Sequence, residues 1–479
     1  MFVTSAGVLV LEILAGRLLA PYVGVTLETY TGIIGTVLAG IALGNWWGGR
    51  LADTHDARTL LGPTIAIGGA LAMACLPIVR VFGPALAGRD PLSIVMLAFL
   101  GFFVPATVLS GVTPMVVKIQ LDSLRMTGRT VGRLSATATA GALFGTFITG
   151  FVLLAAFPTP PIVIAVGLLL VVTGIGLWRW LPRHDRASQP SVIAGAVALA
   201  VLGLFAGTPC ELETAYFCAA VVSDPESDSG RLLVLDTLRH SYVDLDDPTH
   251  LEFEYAGAMI DVIDAQFPAD RDLDVLHIGG GGFTLPRYLA ATREGTDSLV
   301  LELDPQLLTL ARDELGLTTS SELEVRTGDA RLGIRQLATA SRDVVIGDAF
   351  GGLAVPWHLT TTEFVNEVER VLRPGGIYVL NLIDHPPLAF ARAEAATLTD
   401  AFTDAIVIAP PARLEGAQGG NFVLAGGQDL DSARIQALLD ARAAGNVAAP
   451  GERFSGAARV LTDAYAPVDQ LLEPHPVAG

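Results

Sequence analysis

The sequence predicts a multi-span α-helical membrane domain followed by an α/β, Rossmann-like domain with a small β-hairpin region at its start. Three observations predict it. Residues 1–207 read as membrane-type apolar sequence. A glycine run, Gly279-Gly280-Gly281-Gly282, closes the β-type segment Leu276-His277-Ile278. Glu302 follows 20 residues after Gly282, at the end of the next apolar run, Leu299-Val300-Leu301. Glycines let the backbone turn sharply and approach a ligand, and a carboxylate at that spacing accepts hydrogen bonds from ribose hydroxyls.

Hydrophobic residues make up 51% of the 479-residue chain, which points to membrane spans. A span needs roughly 20 apolar residues, and about seven such stretches occur, near 3–23, 30–49, 60–82, 91–117, 134–157, 161–181 and 190–208. The first has no basic leader and contains Glu12 and Arg17, so it reads as a retained helix rather than a cleaved signal. These two charges are costly in hydrocarbon and should face the bundle. Five residues apart, they are offset by about 140° and pair directly only with bent side chains. Gly141 and Gly145 form a small-xxx-small face for close helix packing, Pro105 and Pro114 should break the fourth span, and Trp46, Trp47 and Arg50 read as an interfacial anchor.

Lys and Arg near span ends stay on the cytoplasmic side. Arg50, Arg58, Lys118, Arg125, Arg129, Arg133, Arg183 and Arg186 fall in loops on one side, against Arg89 on the other. With seven spans this predicts an inside amino terminus and an extracytoplasmic second half, and one span fewer reverses the latter. The seventh, Ser191 to Gly207, is the shortest and richest in Ala and Gly. Cys210 and Cys218 follow it; they form a disulfide in an oxidising compartment or remain two thiols in the cytoplasm. No second cysteine pair or histidine cluster accompanies them, so no zinc site is expected.

Residues 1–207 carry 12 Lys and Arg against 7 Asp and Glu, a net +5, and the remainder carries 18 against 42, a net −24. So acidic a second half lacks the basic face that a phosphate backbone needs, which excludes nucleic acid as a partner. Boundaries are expected at 1–207 for the membrane domain, 208–270 for the hairpin segment, 271–426 for the nucleoside-binding domain and 427–479 for a tail with a helix over Arg434–Ala444. The hairpin is read from the alternation around Leu232–Leu235 and Ser241–Leu245. Strands near 273–278, 298–303, 323–326, 343–347 and 376–382 alternate with helices, the pattern of a mostly parallel, doubly wound sheet with its ligand at the carboxyl strand ends. Those ends carry Gly279 to Gly282, Glu302 with Asp304, Asp329 and Asp348 in order. Any one of these acids alone reads equally as a helix N-cap.

On these residues the second half resembles the spermidine synthase family, the polyamine aminopropyltransferases, and more closely bacterial proteins in which such a domain is fused behind a multi-span membrane segment. The resemblance runs from about Glu211 to Asp384, and Leu11-Glu12, Ala20-Pro21 and Gly49-Arg50-Leu51-Ala52-Asp53 are similar to the fused membrane part. It implies a Rossmann-like domain of the class I methyltransferase type. It also implies that Gly279, Gly280 and Gly281 form the glycine loop, Glu302 binds ribose, Asp329 binds adenine, Asp348 is the general base, and Tyr255 and His240 line the substrate site. The implied reaction moves an aminopropyl group from decarboxylated S-adenosylmethionine, a co-substrate rather than a tightly bound cofactor, to a polyamine or other amine.

The chain departs from the family on one side of that chemistry. Gly282 and Gly351 stand where the family has amine-holding aspartates, Phe217 and His240 where it has glutamines, and Ala256 where a Gln or His is expected. Glu254, Asp244, Asp246 and Asp247 are the candidate substitutes. Two other readings therefore stand beside aminopropyl transfer: methyl transfer from intact S-adenosylmethionine, and a non-catalytic nucleoside- or polyamine-binding module coupled to the bundle. The lipid bilayer is the expected surrounding, and a homo-oligomer is among the open assemblies.

Overall fold

The computed structural model describes residues 1–88, 90–120, 127–181, 195, 198, 201, 210–236, 238–349 and 355–472. The chain divides into two compact units, at the boundary between Ala215 and Tyr216.

The first unit has six helices long and apolar enough to cross a membrane among the described residues: Phe2–Val23, Leu27–Thr54, Ala57–Phe82, Pro91–Gln120, Thr127–Ala156 and Thr159–Trp180. The expected seventh span lies outside the described residues apart from three isolated positions. Helix starts are fixed by side-chain caps: Thr26 accepts from the Thr29 amide at 3.3 Å, Asp56 from Arg58 at 3.0 Å and Asp90 from Ser93 at 2.9 Å. Gly141 and Gly145 lie against the backbone of the first helix. A Cβ on Gly145 would come within 2.5 Å of the Ala6 carbonyl, and one on Gly141 would overlap that of Phe2. The fourth span is interrupted by a π-turn over Phe99–Phe103, just ahead of Pro105, as a missing amide donor requires.

Arg17 does not meet Glu12. Its guanidinium donates to the carbonyls of Thr214 and Ala215 and lies 4.0 Å from Glu213, which belongs to the short strand β1 (Leu212–Glu213). Glu213 in turn accepts from the Thr159 amide at 2.9 Å. A 22-residue apolar helix thus keeps its cation by carrying it to a segment rich in carbonyls. Arg50 lies over the Trp46 ring at 5.7 Å, both residues being exposed.

In the second unit, the small hairpin expected near 231–245 is instead part of a larger antiparallel sheet. Strands β2 (Cys218–Ser223), β3 (Gly230–Leu235) and β4 (Leu238–Asp244) pair in sequence order. Cys210 and Cys218 are disulfide-bonded, and Cys75 is a free buried thiol.

Among the described residues the main sheet has eight strands: β5 (Asp274–Ile278), β6 (Asp297–Glu302), β7 (Leu323–Thr327), β8 (Arg342–Gly347), β9 (Leu372–Asp384), β10 (Asp404–Ala409), β11 (Gly420–Gly427) and β12 (Val447–Pro450). Their spatial order is β12-β10-β11-β9-β8-β5-β6-β7. Strands β5 to β9 are mutually parallel, while β11 is antiparallel to both β9 and β10. The strand order reverses between β5 and β8, the switch point at which such sheets open a crevice. The stretch expected as a tail contributes β12 and the helix Ser432–Arg442, whose Ile435 and Leu439 are buried in the same core as Val275 and Val344.

The first five strands fall where the apolar runs place them. In the central pair β5 and β8, buried on both faces, the side chains are mostly Val, Leu and Ile: Val275, Leu276, Val344, Val345 and Ile346 are all 1% exposed or less.

Candidate active site

The glycine loop opens at the end of β5. Gly279 has φ +91° and Gly281 φ +50°, both in the left-handed region open to glycine. A Cβ on Gly279 would overlap the Asp348 carbonyl, so the ends of β5 and β8 touch directly. Asp348 N donates to the Ile278 carbonyl and ties these two ends together, and Gly279 N donates to the Leu301 carbonyl of β6, each at 2.9 Å.

Glu302, 5% exposed, ends β6 beneath this loop. Its Oε2 accepts from Gly280 N at 2.8 Å and Gly281 N at 3.4 Å, and its Oε1 from Asp304 N at 2.8 Å. Burial pushes its pKa up while these three amides pull it back. Asp329 follows β7 and is a helix N-cap as well as a cavity residue: Oδ1 accepts from Leu332 N at 2.9 Å, and Oδ2 lies 2.9 Å from His358 Nε2. Gly279, Gly281, Glu302, Asp329, His240 and Asp348 line one cavity of about 100 Å³, which Phe217 also borders.

Asp348 follows β8. Tyr255 Oη donates to its Oδ2 at 3.1 Å and Asn381 Nδ2 to its Oδ1 at 3.0 Å. Asn421 Nδ2 donates in turn to Asn381 Oδ1 at 2.9 Å. Asp348 is only partly covered, yet what remains exposed faces cavities rather than open surface. Desolvation therefore raises its pKa, offset by the Asn381 amide, the nearby His240 and the Tyr255 hydroxyl. His240 is held down by burial, and Tyr255 is pushed well up by burial and by the Asp348 charge. A second cavity of about 250 Å³ opens on the far side of Asp348, bordered by His240, Tyr255, Asn381, Asn421, Glu254 and Arg413 among others.

The structure thus brings Gly279, Gly281, Glu302, Asp329, Tyr255, His240 and Asp348 together around two adjoining cavities that share His240 and Asp348, while Gly280 borders a third, smaller cavity beside Gly279, Tyr255 and Asp348. Of the candidate substitutes for the missing aspartates, Glu254 lines the larger cavity, whereas Asp244 and Asp247 cap a turn through the amides of Asp246, Asp247 and Thr249. Gly351 lies outside the described residues. At Gly282 the space for an acidic side chain is filled: a Cβ there would lie 2.7 Å from Ser241 Cβ, and its amide donates to Ser241 Oγ at 3.0 Å. Sequence reasoning missed Asn381, Asn421 and Arg413. Asn381 was visible as one polar residue in the apolar run Tyr378-Val379-Leu380-Asn381-Leu382, where it is 5% exposed.

A methyltransferase-domain family model matches residues 276–380. The crystal structure of a probable spermidine synthase from Corynebacterium glutamicum is 30% identical, with a TM-score of 0.50, and the match covers 54% of this chain and 97% of that one. The chain belongs to the spermidine synthase family. Two polyamine aminopropyltransferases are also similar, from Chromobacterium violaceum at 29% identity over 170 residues and from Vibrio vulnificus at 33% over 109. The matches cover 34% and 22% of this chain and 63% and 36% of those relatives. The matched residues 276–380 include the glycine loop, Glu302, Asp329 and Asp348, and the six apolar helices precede them.

Proposed function

We propose that this protein is a membrane-bound aminopropyltransferase-like enzyme that uses an S-adenosylmethionine-type donor, in its decarboxylated form, and an amine acceptor. The observation that carries the reading is the position of Asp348, whose carboxylate lies where the Glu302 cavity meets the larger cavity beyond it. In this reading Glu302 holds the ribose hydroxyls, Gly279 to Gly281 approach the nucleoside, and Asp329 receives the adenine amino group. Tyr255 and His240 border the acceptor. The acceptor nitrogen attacks the methylene next to the sulfonium, the C–S electron pair leaves with sulfur as methylthioadenosine, and the proton lost from nitrogen passes to Asp348. A carboxylate whose pKa is raised by burial takes a proton better than an exposed one, and Tyr255 and Asn381 hold it in place.

Methyl transfer from intact S-adenosylmethionine is the second reading. It is favoured by the methyltransferase-domain match and by Ser241 filling the place of an acid at Gly282, an acid that would repel a methionine carboxylate.

The second unit is proposed to be extracytoplasmic. The loop charges support this placement, as does the disulfide at Cys210 and Cys218, since disulfides persist in oxidising compartments.

Mass spectrometry of the detergent-purified protein tests the chemistry, with each donor, a panel of aliphatic amines and Asp348→Asn as control. Methylthioadenosine together with an aminopropylated amine, both lost in the variant, is the expected result. S-adenosylhomocysteine formed from the intact donor instead would replace the first reading by the second.

A further inference from the structure

The larger cavity is not lined as a dication requires. A site selective for an aliphatic diamine surrounds it with carboxylates and keeps cations away. Here Arg239 and Arg413 border the cavity together with Glu252 and Glu254. Three of these four have other engagements or stand at the exposed rim: Glu252 lies 3.3 Å from His250, Arg239 stacks over the Phe253 ring at 5.9 Å, and Glu254 is exposed.

Arg413 is different. It lies half-buried in the short helix Pro411–Leu414, directly after β10. Its guanidinium is seated over Gly420, where a Cβ would come within 2.9 Å of Cζ and where φ is +138°. The backbone conformation at that point calls for glycine, and the missing side chain leaves room for the guanidinium. The seat is built, but the fork is unused: Nη1 makes one long bond, 3.4 Å, to the Asn421 carbonyl, and no carboxylate among the described residues pairs with it. Asn421 bonds Asn381, and Asn381 bonds Asp348, so a single polar wall across β9 and β11 runs from the carboxylate to the guanidinium. A planar fork of free donors facing a cavity is a receptor for a carboxylate.

We infer that the acceptor is an aliphatic amine that also carries a carboxylate, bound with its amine at Asp348 and its carboxylate at Arg413. The inference rests on the aminopropyl-transfer reading. The reacting nitrogen forms its new N–C bond, sulfur leaves with the C–S electron pair, and Asp348 takes the proton; the substrate carboxylate is unchanged.

Putrescine and ornithine differ by one carboxylate, which makes them the probes. Methylthioadenosine release is measured with each, using the full-length protein and decarboxylated S-adenosylmethionine. Ornithine is expected to have the higher kcat/KM. Arg413→Gln should lower the ornithine-to-putrescine ratio about 10- to 100-fold, the size of a charge-assisted contact, mainly through KM, and Arg413→Lys should recover part of it. A preference for putrescine with a ratio unmoved by Arg413→Gln overturns the inference and leaves aminopropyl transfer standing. If neither acceptor releases methylthioadenosine, the transfer reading falls and calorimetric titration of the same two probes decides the inference. Ornithine binding weakened by Arg413→Gln upholds it, and equal or undetectable binding of the two overturns it.

Discussion

Asp348 combines a raised pKa with two fixed donors, and each feature has a measurable consequence. Only the ionised carboxylate accepts a proton, so kcat/KM should fall as pH drops through a midpoint above the usual carboxylate range of about 4. Tyr255→Phe removes a donor that favours the charged form, and the midpoint in a pH–rate profile should move further up. Asp348→Asn should cost about 10²- to 10⁴-fold in kcat, the range for a positioned acid or base. At Gly282 the constraint is space. Gly282→Ala should destabilise the protein by about 1–3 kcal/mol, read by thermal denaturation, because its Cβ meets Ser241 in the folded core. Restoring an aspartate there is therefore expected to lose stability without building an amine site.

The element that does most to shape the site is the long central strand β9. Its apolar residues are buried on both faces, and among them Asn381 joins Asp348 to Asn421. The helix Ala389–Ala401 packs beside it and carries Glu394, which is 0% exposed with neither carboxylate oxygen hydrogen-bonded among the described residues. Burial raises its pKa well above the usual value, so the folded state holds its proton more tightly than the unfolded state. Stability from this group is then present below the unfolded pKa of about 4.3 and is lost as pH rises towards the folded pKa. Glu394→Met should flatten that loss and stabilise the protein at neutral pH by about 1–3 kcal/mol, as followed by denaturant titration across pH. In the first unit, Gly141→Leu should disrupt the packing of Thr127–Ala156 on Phe2–Val23, since the new Cβ has only backbone to displace.

For the whole molecule, the proposed extracytoplasmic placement of the second unit carries two predictions. Thiol counting under denaturing conditions is expected to find one reactive cysteine before reduction and three after it, matching a free Cys75 and a disulfide at Cys210 and Cys218. A fusion reporter placed after Gly479 that is active only in the cytoplasm would overturn the extracytoplasmic placement. The donor is then supplied from the same side, and the disulfide loses its oxidising setting.

Period and spacing in the sequence determined the apolar helices, the five parallel strands and the order of Gly279, Glu302, Asp329 and Asp348 along their ends. These are local properties: burial on both faces demands continuous apolar runs, and a strand end must carry whatever touches the ligand. The later strands β10 to β12 were not legible, because they gain their place by antiparallel pairing with partners distant in the sequence, β11 with β9 and β10, and β12 with β10. The pairing of Arg17 with the Glu213 segment and the filling of the Gly282 site by Ser241 likewise depend on residues 196 and 41 positions away in the chain. Only the tertiary structure decided that Arg413 and Asp348 border one cavity. Their joint action depends on the register of β9 against β11, and no spacing along a single strand encodes it.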